Sequence, residues 1–162
     1  ESSEPSELDI NNCNALGKKY YIFSYPEMDL TIVEPEINTT DLYGREYEFG
    51  VKDCFEALRD YLQTQNIEIP PRAMFVEDYW DKEIDYFNDK IISDWQHSPV
   101  SLNEIKENDV LIFRVFSNIN NHCGVYLGND IFYHHAENRL SCRENLYPQW
   151  KKWLVGAYRY AA

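Results

Sequence analysis

No apolar run in this 162-residue chain approaches the ~20 residues that a membrane-crossing helix needs, so no transmembrane helix is expected. Basic residues are scarce, 15 Lys and Arg against 28 Asp and Glu, and the net charge of −13 excludes a nucleic-acid phosphate backbone as partner. An anionic membrane surface is excluded on the same ground. The four cysteines, Cys13, Cys54, Cys123 and Cys142, include no C-x-x-C pair, and a domain of this size needs no disulfide scaffold. Internal repeats and low-complexity tracts are absent. No secretory leader pattern stands at the start, and the first residue is Glu rather than Met. The chain therefore reads as a piece of something longer.

Aromatic residues, by contrast, are plentiful. They make up 15% of the chain, with 13 tyrosines and 4 tryptophans, a composition that suits grooves and interfaces as well as mixed cores. The length fits one domain, or one domain plus an appendage, and is enough to bury a working core.

Residues 1–12 are polar and acidic and read as a frayed start. Tyr20–Tyr25 and Leu30–Val33 read as two strands around a turn at Pro26–Asp29, making a hairpin over 20–33. Residues 34–45 read as a linker. The clearest helix begins at Cys54. Asp53 is a good N-cap, Glu56 three residues on completes a capping box, and Phe55, Leu58, Tyr61 and Leu62 form one apolar stripe. Asn66 and Pro70-Pro71 end it. Residues 76–92 read as helical in part.

The period then changes. Val110–Val115 reads as a buried strand, and His122–Leu127 and Ile131–His135 as a hairpin around Gly128-Asn129-Asp130. A polar stretch follows, then a last strand near Leu154–Tyr160. A helix followed by a run of antiparallel strands predicts an α+β fold rather than α/β.

Chemistry centres on Cys54. A thiol in the first turn of a capped helix meets free N–H groups and a partial positive charge, which favour the thiolate. The bland reading of any one cysteine is a buried thiol serving as a small hydrophobe, so Cys54 needs context. The histidines supply it. His97, in Gln-His-Ser-Pro, reads as a surface residue in a loop. If Leu127 pairs with Ile131, His134 faces Gly124 and His122 is its diagonal neighbour on the same face, roughly 7–8 Å away between Cα atoms. His135 and Cys123 then point to the other face. A one-residue slip would exchange His134 for His135. A thiol, a base and a polar residue behind the base follow the logic of a catalytic triad. A zinc site on Cys54, His122 and His134 is the competing use, but no fourth ligand stands at a typical spacing.

These residues resemble the NlpC/P60 cysteine peptidases. Asp53-Cys54 resembles the family's helix start, and His122-Cys123-Gly124-Val125-Tyr126-Leu127-Gly128 its His-x-Gly-[Ile/Val]-Tyr-[Ile/Leu]-Gly strand. Phe132-Tyr133-His134 resembles the strand bearing the third polar residue. Asn108-Asp109-Val110 resembles the Gly-Asp-[Leu/Val] strand, with Asn108 in place of Gly. Tyr47-Glu48-Phe49-Gly50 resembles the Tyr-x-x-Gly segment, which gives Tyr47 a share of the oxyanion site, with Tyr43 as fallback. Segments 43–47, 53–61 and 134–141 resemble a phage tail-assembly branch that joins a JAMM/MPN-type domain to an NlpC/P60 domain. Pro5-Ser6-Glu7-Leu8-Asp9 is similar to the Ser-x-x-Asp close of the JAMM zinc motif, so Asp9 resembles a metal ligand without its His-x-His partners. No bound zinc and no other cofactor are expected.

The resemblance implies a papain-like core, the nucleophile helix packed on an antiparallel sheet. It implies residues 1–36 as the remnant of a preceding JAMM/MPN-type domain and 37–162 as the peptidase domain. It implies Cys54, His122, His134 and Tyr47 as catalytic residues. The implied substrate is the peptidoglycan stem peptide, cut between D-glutamate and a diamino acid. The implied partners are phage tail-tip proteins, in the virion tail tip or in the host cytoplasm during tail assembly. Two alternatives stay open: a catalytically silent tail-tip scaffold, and a protease that matures a tail protein.

Overall fold

Four consecutive buried residues, Val110–Phe113, form a strand (β4) that divides the interior into two cores. Val110 and Ile112 meet Cys54, Phe55, Leu58 and Leu62 on one side. Leu111 and Phe113 meet Phe132, Trp150 and Leu154 on the other. Side chains that alternate across a strand with both faces covered give a continuous apolar run, as read. Each fully buried Leu or Phe contributes ~1.5–3 kcal/mol of apolar burial.

This structure is a computed structural model that describes residues 4–16, 19–26, 28–34, 42–71 and 75–161. Its elements in chain order are α1 (Glu7–Leu16), β1 (Tyr20–Phe23), β2 (Leu30–Val33), α2 (Cys54–Thr64), α3 (Asp89–Asp94), β3 (His97–Val100), then β4. They continue with β5 (His122–Gly128), β6 (Ile131–His134), β7 (Cys142–Asn145), a 3-10 turn (Trp150–Lys152) and β8 (Leu154–Tyr160). β1 and β2 pair antiparallel as the hairpin predicted for 20–33. The other six strands form one sheet in the order β3-β8-β4-β5-β6-β7, every neighbouring pair antiparallel. Helix α2 packs on β5 and β6, so the fold is α+β, with the cysteine-bearing helix against an antiparallel sheet. Among the described residues, no helix is long and apolar enough to cross a membrane.

Several expectations change. The start does not simply fray: 7–16 is helical, capped by a box in which Asp9 accepts from the Ser6 N–H and hydroxyl while Ser6 Oγ accepts from the Asp9 N–H. α1 lies against β7, one of the two edge strands of the large sheet. Most of the expected linker, 35–41, lies outside the described residues. Residues 77–83 form turns, broken by left-handed backbone at Asp78 (φ 56°) and Glu83 (φ 54°), and the helix of that region is only Asp89–Asp94.

His97 is not a surface loop residue. It is buried in β3, paired with Tyr160, where Pro99 is tolerated because β3 is an edge strand. The polar stretch after His135 contains β7, whose burial alternates along Cys142–Asn145. In the β5–β6 hairpin, Ile131 pairs with Gly128 rather than Leu127. The loop is the two residues Asn129 (φ 51°) and Asp130 (φ 59°), and a bulge between Tyr126 and Gly128 takes up Leu127. Two offsets cancel, and His134 still faces Gly124.

Candidate active site

Cys54 is the first residue of α2, directly after the N-cap Asp53. Asp53 is buried, and its Oδ1 accepts the N–H groups of Phe55 (3.0 Å) and Glu56 (3.2 Å). The cap fixes the helix start and with it the thiol. Cys54 is itself nearly buried, and its side chain is hydrogen-bonded to Cys123 and to His122. The bond from Cys123 lowers the thiol pKa most. Burial raises it, the bond and charge of His122 lower it, Asp53 raises it slightly, and the net is a thiol pulled down to about 6.

His122 is the first residue of β5. Its Nε2 lies 3.0 Å from Nδ1 of His134, which leaves Nδ1 of His122 for Cys54. His134 Nε2 lies 3.0 Å from Oε2 of Glu144, and the Arg139 guanidinium reaches the same oxygen at 3.1 Å. Burial lowers the pKa of both histidines, offset in part by Cys54 at His122 and by Glu144 at His134. Burial pushes the Glu144 carboxyl up, but His134, Arg139 and the Trp150 indole outweigh it and hold the group at about 2.

Register explains why these side chains meet. His134 faces Gly124 on β5 and Cys142 on β7. Both are small, so the larger side chains touch along the diagonal: His122 two residues before Gly124, Glu144 two residues after Cys142. A Cβ on Gly124 would stand 2.7 Å from the Tyr133 carbonyl oxygen and 3.1 Å from the His134 Cβ, so only glycine fits there. Trp150 roofs the pair, stacked on His122 (centroids 5.2 Å apart, 29° between planes) and edge-on to His134 at 4.5 Å. Phe132 stacks on His134 at 4.4 Å.

A cavity of about 20 Å³ at Cys54 is lined in part by Tyr47, Tyr79, Trp80 and Asn121. Tyr47, Phe49 and Trp80 also line a cavity of about 480 Å³ beside it, whose rim carries Glu46, Glu77, Asp78 and Glu137 against one cation, Arg139. Tyr43, the fallback for Tyr47, packs edge-on to Tyr133 instead. His135 lies off the relay, edge-on to Tyr47 and near the Arg139 carbonyl, as the register predicts. Asp9 serves the cap of α1. Ligand atoms of His134, Cys142 and Glu144 lie within 4.8 Å of one another, but the guanidinium on Glu144 disfavours a cation there.

The structure thus brings Cys54, His122, His134 and Tyr47 to one place, and His97 and Tyr43 elsewhere. Sequence reasoning missed Glu144, Arg139 and Trp150. One signal was available: in Cys142-Arg143-Glu144-Asn145 the two-residue period puts the carboxylate on the same side as the small Cys142.

A cysteine-bearing helix on an antiparallel sheet, with a thiol at its capped start and an imidazole pair beside it, defines the papain-like class. The NlpC/P60 family model matches residues 44–159, and the chain belongs to that family, whose members are in general cysteine peptidases. Within it, the chain is 29% identical over 121 residues to tail tip assembly protein K of Escherichia phage lambda, covering 75% of this chain and 60% of that protein. It is 28% identical over 166 residues to tail tip assembly protein K of Escherichia phage N15, covering 98% of this chain and 65% of that protein. The chain thus spans less than two thirds of the length of both relatives. Among solved structures, an NLP/P60 family protein of Staphylococcus aureus, described as similar to lipoprotein, superposes with a TM-score of 0.51 at 22% identity, over 74% of this chain and 37% of that one. An NlpC/P60 family protein of Bacillus cereus gives 0.50 at 14% identity, over 89% and 51%. At these identities the two structures speak to the fold alone.

Proposed function

We propose that this chain is a cysteine peptidase that hydrolyses amide bonds of peptidoglycan stem peptides, of the D-glutamyl–diamino acid type, as part of a phage tail tip. The observation that carries the reading is the acidified Cys54 thiol, hydrogen-bonded to His122 with His134 behind it. The family and the two phage relatives agree with it. The acidic rim of the cavity beside Cys54 suits a peptide that carries a free amine, as a diamino acid does.

In this reading the Cys54 sulfur attacks the amide carbonyl while His122 holds the thiol proton. The Cys54 backbone N–H, free at the helix start, and the Tyr47 hydroxyl stabilise the oxyanion. Collapse expels the amine, which takes the proton from His122. Water, deprotonated by His122, then releases the acyl group and restores the thiol. Residues 1–36 fit the end of a preceding JAMM/MPN-type domain, and 37–162 the peptidase domain. The family match begins at residue 44, in keeping with that division.

Mass spectrometry of a muropeptide digest tests the activity. Wild-type protein should yield new products from stem peptides, and Cys54→Ala should yield none. Equal cutting by both would end the assignment. Cutting of tail proteins with no action on muropeptides would shift the reading to a maturation protease.

A further inference from the structure

Glu144 belongs to none of the motifs read from the sequence, yet it ends the hydrogen-bond line that starts at Cys54. We propose that Glu144 is a positioning residue that fixes the tautomers of both histidines and so makes Nδ1 of His122 the atom that takes the Cys54 proton. The inference rests on the reading of Cys54 and His122 as the reacting pair.

The argument follows donors and acceptors along the line. Glu144 is held ionised by His134, Arg139 and Trp150, so its oxygens can only accept. His134 Nε2, 3.0 Å away, must then carry the hydrogen. A neutral His134 protonated on Nε2 has a bare Nδ1, which accepts. His122 Nε2, 3.0 Å from that Nδ1, must therefore donate. A neutral His122 protonated on Nε2 has a bare Nδ1, and that atom faces the thiol.

The opposite assignment would put a hydrogen on His122 Nδ1 before any proton had moved, and His122 could not act as a base. One carboxylate thus sets a choice two residues away. Once His122 is protonated, the same line supports its charge: His134 accepts from it, and Glu144 supports His134.

Other charged and titratable groups do not reverse this. Facing His134 are Arg139, a donor already bound to Glu144, and Cys142, whose sulfur lies 4.0 Å from Nε2 and whose thiol burial pushes up to about 12. Facing His122 are Cys54, His134 and, more weakly, His135. Phe132 and Trp150 cover the rest of both rings. Both histidines are buried, 7% and 1% exposed, so water does not compete for their nitrogens.

The experiment is ¹H–¹⁵N correlation spectroscopy of the histidine side chains near pH 7.5, which distinguishes the two tautomers. In wild-type protein both His122 and His134 should carry a hydrogen on Nε2, whether or not Nδ1 of His122 has also taken the Cys54 proton, and His134 should carry none on Nδ1. Glu144→Met removes the acceptor but keeps the length, and should move the hydrogen of both rings to Nδ1. Glu144→Gln retains an acceptor and should keep the wild-type tautomers. Iodoacetamide labelling of Cys54 should need a higher pH in Glu144→Met than in wild type.

On a stem-peptide substrate, Glu144→Met should lose ~100-fold in kcat with KM within about threefold, less than loss of the orienting acid in a serine triad. Glu144→Gln should recover most of that loss. The hydrogen on Nδ1 of His134 in the wild type, or unchanged tautomers in Glu144→Met, would overturn the inference. The wild-type spectrum decides even if the variants fail to fold. A protein that shows the tautomer switch but cuts no muropeptide would refute the substrate and leave the relay standing.

Discussion

Asp53 and Gly50 are joined across the start of α2. Asp53 Oδ2 accepts the Gly50 N–H at 2.8 Å while Oδ1 caps the helix. Gly50 has φ +80°, a left-handed backbone that other residues adopt at a cost. One carboxylate therefore ties the Tyr47–Gly50 segment to the helix that carries Cys54. Asp53→Ala should cost about 1–2 kcal/mol in urea unfolding. Asp53→Asn should cost less and should lower the pH at which Cys54 ionises, because the Asp53 charge raises that pKa.

Cys54 should be the thiol that iodoacetamide finds first. With its pKa pulled down to about 6 against an ordinary 9.0, its labelling should be half-maximal near that pH. Cys142, buried and pushed up to about 12, should stay unlabelled while the protein is folded. Peptide mapping of labelled protein over pH 5–9 checks both. Cys123→Ala should move the Cys54 profile to higher pH, since the bond from Cys123 is the largest lowering influence.

Gly124→Ala should harm the site more than the fold. The added methyl must push β6 away at Tyr133 and His134. Overpacking of this kind costs about 1–3 kcal/mol. The displaced ring of His134 would lose its contact with His122, so turnover should fall at least tenfold in protein that still unfolds cooperatively. Full activity in a folded Gly124→Ala protein would show that the His122–His134 contact does not matter.

Mild acid should destabilise the protein. His97, His122, His134 and His135 are all buried, and burial lowers the pKa of each, that of His135 to about 4 from 6.5. Between those values the unfolded chain binds more protons than the folded one, so stability falls as pH falls. His135 alone accounts for about 3 kcal/mol by pH 4. Glu144 acts in a lower window. Its folded pKa is depressed to about 2 from 4.5, so its contribution is present above 4.5 and fades as pH falls toward 2. The urea midpoint, followed from pH 7 to pH 4, should drop steadily.

Local chemistry was legible from sequence, and long-range register was not. The Asp53 cap, the α2 stripe and the β4 run depend on neighbours within a few residues, and they stand where the sequence puts them. The His122–His134 pairing was legible because one short hairpin joins them, and the turn and bulge errors cancelled. Glu144 was missed because the alternation within 142–145 says only that it shares a side with Cys142, while a seven-residue loop, 135–141, separates β6 from β7 and leaves open which residue faces His134. His97 was misread because Ser98 and Pro99 look like loop residues, while their partners on β8, Arg159 and Tyr158, lie 61 and 59 residues further on. Arg139 and Trp150 reach the site from segments whose position depends on that same packing.

The bulge at Leu127 gives the β5–β6 hairpin some slack. The tip begins at Asn129, seven residues after His122 and about 23 Å away along an extended strand. A strain introduced at the tip can be taken up where the ladder is already irregular, before it reaches Gly124. The tip is therefore the natural place to tether the protein to a surface or attach a dye while its chemistry is being followed.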